Sequence, residues 1–335
     1  MTRVRLTDVA ARAGVSMKTV SNVVHHHPHV SPAMRARVQE AIDELGYRPN
    51  LTARRLATGR TGMIALAMPE IDHPYFSELS RSIAEVAAEM GYRVLIEQTL
   101  GEAEAERAVI MDREAGLVDG VIFHPVSMTT VEIGKLRRDL PLVLLGESAR
   151  PLTTDHVMID NVQAARDGTE LLRRTGRRIA FLGTVSHDVT GSTAQRLHGY
   201  QEALERAGVP GDTSLVLETG GFRVEDARAA LSAALARGLD IDAVLCRDDR
   251  FAIGALQALA EAGLSVPTDV AVLGWDDTHL ATISTPTLSS IAPDKRGIAR
   301  IALELLIERI GGHQGVGRHR IAPHGIEQRQ STAGR

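Results

Sequence analysis

Leu6-Thr7-Asp8-Val9-Ala10-Ala11-Arg12-Ala13-Gly14-Val15-Ser16-Met17-Lys18-Thr19-Val20-Ser21-Asn22-Val23-Val24 reads as two short helices joined at a glycine. Thr7 is the expected N-cap of the first, with Asp8 in its first turn, and Gly14 ends it. Ser16 caps the second, whose Val20, Val23 and Val24 share one face. After a loop at 25–29, Ser31-Pro32 supplies an N-cap and a proline at the first helical position. The third helix then carries the stripe Val38, Ile42, Leu45 and stops at Gly46. Two short helices about a tight turn fit a helix-turn-helix, whose second helix can enter the major groove. Lys18 would then donate to guanine, Asn22 would pair with adenine, and Met17 would pack on a thymine methyl. On these residues alone, a solvated helix in a three-helix domain without a nucleic-acid role stays open.

Charge is distributed unevenly. Residues 1–62 hold ten Lys/Arg against four acids, although the whole chain is −4. A basic head on an acidic body is the electrostatic footprint of a nucleic-acid module joined to something else. A chance cluster of surface charge is the other reading. The 335 residues, 44% of them hydrophobic, are enough for two or three domains. The single cysteine, Cys246, excludes an intramolecular disulfide. No apolar run approaches membrane length, and the first residues lack the apolar core of a leader. The expectation is a cytoplasmic chain with no membrane partner.

Beyond Gly62 the pattern changes. Short apolar runs at 64–68, 94–97, 120–123, 142–145, 179–182, 214–217, 243–246 and 270–273 alternate with helical patterns. The helical patterns fall at 76–90, 104–114, 162–174, 194–207, 224–236, 251–262 and 298–310. This is an α/β body with parallel sheets, long enough for two of them. Glu89-Met90-Gly91-Tyr92 and Arg206-Ala207-Gly208-Val209 end helices in similar ways, which suggests two similar halves. Ligands of such sheets bind beyond the carboxyl ends of the strands, here 69–76, 183–196, 247–249 and 274–277.

The stretch 6–16 resembles the headpiece of the lactose/galactose repressor (LacI/GalR) family. The likeness continues through Thr19-Val20-Ser21, Val30-Ser31, residues 41–50, Ala53-Arg54-Arg55-Leu56 and residues 58–62. Shorter matches follow at Pro74-Tyr75-Phe76, Asp160-Asn161, Arg196 with Gly199-Tyr200, Asp248-Asp249 and Gly274-Trp275-Asp276-Asp277. The resemblance implies an N-terminal all-α helix-turn-helix headpiece and two doubly wound subdomains of periplasmic-binding-protein type. It divides the chain into a DNA-binding domain at 1–49, a hinge helix and linker at 50–61, and a ligand sensor at 62–335. Within the sensor the N-subdomain covers about 62–159 and 291–319, and the C-subdomain about 160–290 and 320–335.

For DNA contact the resemblance implies Thr7, Ser16, Met17, Lys18, Thr19, Ser21, Asn22, His25, Asn50, Ala53, Arg54 and Leu56. Leu56 would sit at the end of a helix that forms on DNA and would wedge into the minor groove. Asn22 departs from the arginine common there, which leaves the base it reads open. For ligand contact it implies Arg196 and Asp276, with Asp248 at a matching polar position; Tyr75, Phe76, Phe222 and Trp275 are candidates because they fall just after predicted strands, and Asp72, His73 and Ser192 are further lining candidates. Tyr75 and Phe76 could instead be core, Trp275 could face the core between subdomains, and Asp160-Asn161 could simply cap a helix. Cys246 reads as inert. His25-His26-His27-Pro28-His29 invites a metal reading, but adjacent histidines cannot all aim at one ion, so a solvated loop is favoured and no metal is expected.

The implied function is a ligand-responsive repressor of carbohydrate uptake or catabolism genes. It would bind a near-palindromic operator as a homodimer and would need no cofactor. A purine or other metabolite is the alternative effector. The chain has no Walker A run, no GxGxxG after the first strand, no HExxH and no GxSxG. Its paired aspartates lack a nucleophile, so an enzyme is not expected. Without leucine heptads after the last strand, a dimer is expected rather than a tetramer. Effector control would work by linkage between cleft arrangements and operator affinity.

Overall fold

The computed structural model describes residues 4–24, 29–47, 60–111, 116–136, 140–147, 153–174, 178–183 and 191–333. The chain divides into two compact units, Met1–Thr61 and Gly62–Arg335.

The first unit contains α1 (Leu6–Ala13), α2 (Met17–Val24) and α3 (Pro32–Leu45). Helix α1 begins two residues earlier than expected. Its N-cap is Arg5, whose backbone N–H donates to Asp8 Oδ2 at 2.7 Å, so Thr7 lies inside the helix. Asp8 outcompetes Thr7 because a carboxylate at the third helical position reaches back to a free N–H and meets the positive helix end. Gly14 takes the left-handed conformation (φ 62°), which lets Val15 N–H return to Ala10 O and turns the chain into α2. Val9, Val20, Val23, Val38, Ala41 and Tyr47 close a small core.

The second unit holds two six-stranded sheets. The first comprises β1 (Met63–Met68), β2 (Arg93–Gln98), β3 (Gly120–Phe123), β4 (Leu142–Leu145), β5 (Asp155–Ile159) and β11 (His319–Ala322). Its order is β11-β5-β4-β3-β1-β2, with every described pairing parallel. The second comprises β6 (Ile179–Leu182), β7 (Val216–Leu217), β8 (Ala243–Cys246), β9 (Ala271–Trp275), β10 (Ser289–Pro293) and β12 (His324–Glu327). Its order is β12-β10-β9-β8-β6-β7, parallel except at β10–β12. Both are doubly wound, and the winding reverses between β1 and β3 in one and between β6 and β8 in the other. Ligand crevices open at such switch points.

Period-2 alternation places the cores. In β1, Ile64, Leu66 and Met68 pack towards α4 (Pro74–Glu89) and α12 (Lys295–Ile310). Ala65 and Ala67 face α5 (Ala103–Met111) and α6 (Thr130–Leu136) on the other side. Helices α7 (Asn161–Arg173) and α8 (Ser192–Arg206) cover one face of the second sheet, and α9 (Val224–Ala236) and α10 (Asp249–Glu261) cover the other. A short α11 (His279–Ile283) follows β9.

The run at 214–217 is mostly a 3-10 turn (Thr213–Leu215), which leaves β7 two residues. Strands β10 and β11 reach Pro293 and Ala322, so the chain changes sheets at Asp294 and Pro323 rather than at 291 and 320. The crossing is tied down by Asp155, fully buried on β5. Burial opposes its charge, but bonds from Arg309 (2.8 and 2.9 Å) and Arg318 hold its carboxyl well below the usual range. Among the described residues no helix is long and apolar enough to cross a membrane.

Candidate functional site

In the first unit α2 turns Val20 and Val23 inward, which leaves Met17 and Lys18 exposed and Thr19, Ser21 and Asn22 half-buried. Thr7 is exposed on α1. The Ser16 hydroxyl accepts from Thr19 N–H at 3.1 Å and lies 2.9 Å from the Thr19 hydroxyl, so it fixes the start of α2. Arg12 pairs with Glu44 at 2.5 Å and Arg37 donates to Gly14 O, which binds α1 and the turn to α3. These arginines brace the helix pair. His25, Asn50, Ala53, Arg54 and Leu56 lie outside the described residues.

In the second unit most of the site's side chains lie on the segments that follow β1, β3, β4, β8 and β9 and on α7 and α8. Arg196 of α8 is the hub. Its Nε donates to Asn161 Oδ1 at 2.9 Å, its Nη1 donates to Arg247 O, and its Nη2 stands 3.9 Å from Asp276 Oδ1. Its guanidinium lies 4.1 Å above the Trp275 ring. Trp275 is fully buried, so it serves Arg196 as a platform rather than offering an open face. Asp276 is buried beside them, and burial pushes its carboxyl up to about 6 against the pull of Arg196. Asn161 Nδ2 donates to Glu147 Oε1 at 2.6 Å, which joins the two subdomains.

The opposite wall is aromatic. His73 caps α4 by accepting from Tyr75 N–H. Phe76 meets the rings of His73 (5.1 Å), Tyr75 (5.4 Å) and His124 (4.9 Å) edge-on. Burial pulls both His73 and His124 down to about 4, so they are neutral at pH 7. His73 Nε2 stands 3.9 Å from Asp248 Oδ2. Asp248 spends its other oxygen on capping α10 through Phe251 N–H, at 3.0 Å. Phe222 is 47% exposed and stacks on Arg247 at 4.5 Å. Ser192 opens α8, half-buried, and Asp72 is exposed.

Buried polar atoms here without a hydrogen-bond partner include Asp248 Oδ2, Trp275 Nε1, Arg250 Nε and His124 Nδ1. The site thus gathers Arg196, Trp275 and Asp276, then Tyr75, Phe76 and Asp248, with Phe222 at its margin. Sequence reasoning did not single out Glu147, His124, Arg247 and Arg250, and it read Asn161 as part of a helix cap. Asp160 does cap α7, through Gln163 N–H, which made its neighbour look structural as well. Among the described residues no cluster of His, Cys, Asp or Glu could hold a metal ion. Burial pushes the Cys246 thiol up, so it stays protonated and unreactive.

Residues 5–50 match the family described as bacterial regulatory proteins, lacI family, and residues 169–332 match a periplasmic binding protein-like domain. The HTH-type transcriptional regulator CelR of Thermobifida fusca is 35% identical over 330 residues, 92% of this chain and 93% of CelR. The chain belongs to the LacI family of bacterial regulatory proteins. This LacI-family regulator also superposes on the lac repressor dimer bound to operator and the anti-inducer ONPF. That match has a TM-score of 0.84 and 26% identity and covers 99% of each chain. A CelR–cellobiose complex matches with a TM-score of 0.70 and 30% identity, over 98% of this chain and all of the other. The relatives are transcription regulators, not enzymes. The LacI-family regulator therefore carries a DNA-binding helix-turn-helix and a sensor body of periplasmic-binding-protein type.

Proposed function

We propose that this chain represses carbohydrate uptake or catabolism genes as a homodimer on a near-palindromic operator, and that a small carbohydrate between the sensor subdomains changes operator affinity. The observation that carries the effector reading is the set of buried polar atoms without a hydrogen bond on Asp248, Trp275 and Arg250 around the Arg196–Asp276 pair; besides neutral His73, Asp248 Oδ2 has only the longer ion contacts of Arg247 (3.5 Å) and Arg250 (3.6 Å). Leaving such groups unpaired is costly, and a polyhydroxylated ligand would satisfy acceptors and donors at once. Arg196 offers a planar fork of donors, Asp248 and Asp276 offer acceptors, and Tyr75, Phe76 and Phe222 offer ring edges and faces. Cellobiose, found with CelR, is the first ligand to try. Reading of the operator falls to Met17, Lys18, Ser21 and Asn22, with Asn50, Ala53, Arg54 and Leu56 as the hinge contacts and Leu56 as the wedge.

The edge strand β2 favours a second copy as partner. Leu95 and Ile96 are 41% and 46% exposed there, an apolar edge that a lone sheet would leave unprotected. A thermal-shift panel of sugars and purines, with the sugars recovered and chromatographed, tests the effector reading. Stabilisation by a sugar without turnover is expected. Stabilisation by a purine alone would move the effector to the other class, and product formation would sink the sensor reading.

A further inference from the structure

Two consecutive non-glycine residues, Asp276 (φ 93°) and Asp277 (φ 45°), stand in left-handed backbone directly after β9. L-residues avoid this region and hold it only where their surroundings over-determine it. The restraint comes from Asp249, buried in the first turn of α10. Its Oδ2 accepts from Thr278 N–H at 2.7 Å and from the Thr278 hydroxyl at 2.9 Å. Its Oδ1 accepts from the Ser290 hydroxyl on β10 at 2.7 Å, and that hydroxyl oxygen accepts from Asp277 N–H at 2.9 Å. Gly274 leaves the room this needs, because a Cβ there would lie 2.3 Å from Asp249 Oδ1. One carboxylate thus ties the turn at 276–278 to α10 and β10. The residues that meet Arg196, Trp275 and Asp276, are the ones leading into that turn.

We propose that Asp249 is a positioning residue of the effector site: it clamps the left-handed turn and so fixes the Asp276 carboxylate and the Trp275 indole against Arg196. The proposal rests on the effector reading above for its ligand, but not for its geometry. Because burial and the neighbouring Asp276 push the Asp249 carboxyl up to about 7, the clamp is also sensitive to pH. A proton on Asp249 removes one acceptor from a set of three bonds, so the turn loosens as pH falls through about 7. The charged and titratable groups around it are Asp248 on its own helix, Cys246 on β8, and Asp276 and Asp277 on the turn. Lys295 bonds the Asp277 carbonyl and Arg329 meets the Asp277 carboxylate. Asp276, at about 6, adds a second and lower step.

Trp275 is the only tryptophan, so its fluorescence reports on this turn directly. Acrylamide quenching of the full chain between about pH 5 and 8.5 is the test. In wild type, quenching should rise on acidification with an upper step near 7. Asp249→Asn keeps the shape and an acceptor oxygen. Like the protonated acid it has only one acceptor oxygen, so it should quench at every pH as acidified wild type does and lack the upper step. Asp249→Ala should quench several-fold more at every pH. If that variant does not fold, Ser290→Ala and Thr278→Val, which each remove a bond to the same carboxylate, carry the same expectation. Cellobiose titrated into these samples should bind on the order of tenfold more weakly to Asp249→Ala, with a smaller loss for Asp249→Asn. Wild-type protein that ignores cellobiose counts against that sugar, and the quenching arm then decides on Asp249 alone. Wild-type quenching and an unchanged pH profile in Asp249→Ala or Ser290→Ala overturn the clamp.

Discussion

Asp276 sits where a carboxylate is expensive to bury, and Arg196, at 3.9 Å, is the first of the cations that offset its charge, with Lys295 and Arg247 behind it. Its removal should therefore abolish the response to effector while operator affinity stays within about twofold, since the substitution touches only the ligand-bound balance. Filter binding with and without sugar reads both quantities, and loss of both would assign Asp276 to folding. The same residues set the pH dependence of stability. His73 and His124 titrate at about 4 in the fold and near 6.5 when unfolded, so their contribution is lost as pH falls from 6.5 towards 4. Asp249 and Asp276 run the other way. Their folded values of about 7 and 6 lie above the ordinary 3.8, so the fold gains stability from them as pH falls from 7 towards 4. Wild-type melting should thus change little across the window where the two pairs oppose each other. Asp249→Asn removes the cost of burying a charge at pH 8 but changes little at pH 5. Its melting temperature relative to wild type should fall on acidification, and a constant difference would show that Asp249 stays ionised throughout.

Helices α7 and α8 approach so closely that a Cβ on Gly199 would lie 2.1 Å from the Val162 carbonyl oxygen. A backbone atom cannot swing aside, so Gly199→Ala must push the helices apart. The expected cost is about 1–3 kcal/mol in urea unfolding, with Arg196, one turn earlier on α8, displaced from Asn161. Wild-type stability and wild-type sugar affinity together would refute that close packing. This glycine lay inside the family motif, yet nothing in its type announced a contact with another helix. Elements built on apolar periodicity were legible. Thus α9 is found at 224–236 as its pattern implied, and β3, β4, β6 and β8 fall on their apolar runs. Strands β5 and β10 were not, because Asp155, His156, Ser289 and Ser290 are polar yet buried and break the apolar signal. Their burial is offset by partners such as Arg309 and Ser331 that lie far away in sequence. The site followed the same rule. Most residues carried by a motif were visible, although Asn161 was read as part of a helix cap, while Arg247 and His124 enter only through contacts made in the folded chain.

At the scale of the molecule, a basic reading unit of 61 residues is joined to an acidic sensor more than four times its size. One reading unit has only a few side chains with which to address base edges, so specificity on a near-palindrome needs two copies held together. Linking them makes the second half-site an intramolecular encounter, which is worth roughly a hundredfold or more in affinity without a new contact. In the wedge reading, Leu56→Ala should weaken specific binding far more than non-specific binding, because only the kinked operator engages the side chain. Equal losses would count against a wedge. The pairing itself is tested at β2. Leu95→Asp with Ile96→Asp places two charges on an exposed edge, where they cost the isolated sheet little and a joined pair a great deal. Sedimentation should show monomers at micromolar concentration, with the melting profile of the sensor and its sugar affinity preserved. Operator affinity should fall at least about a hundredfold while half-site binding persists. A variant that remains dimeric would place the partner on another face, and a stable wild-type tetramer without DNA would mean that a further contact exists.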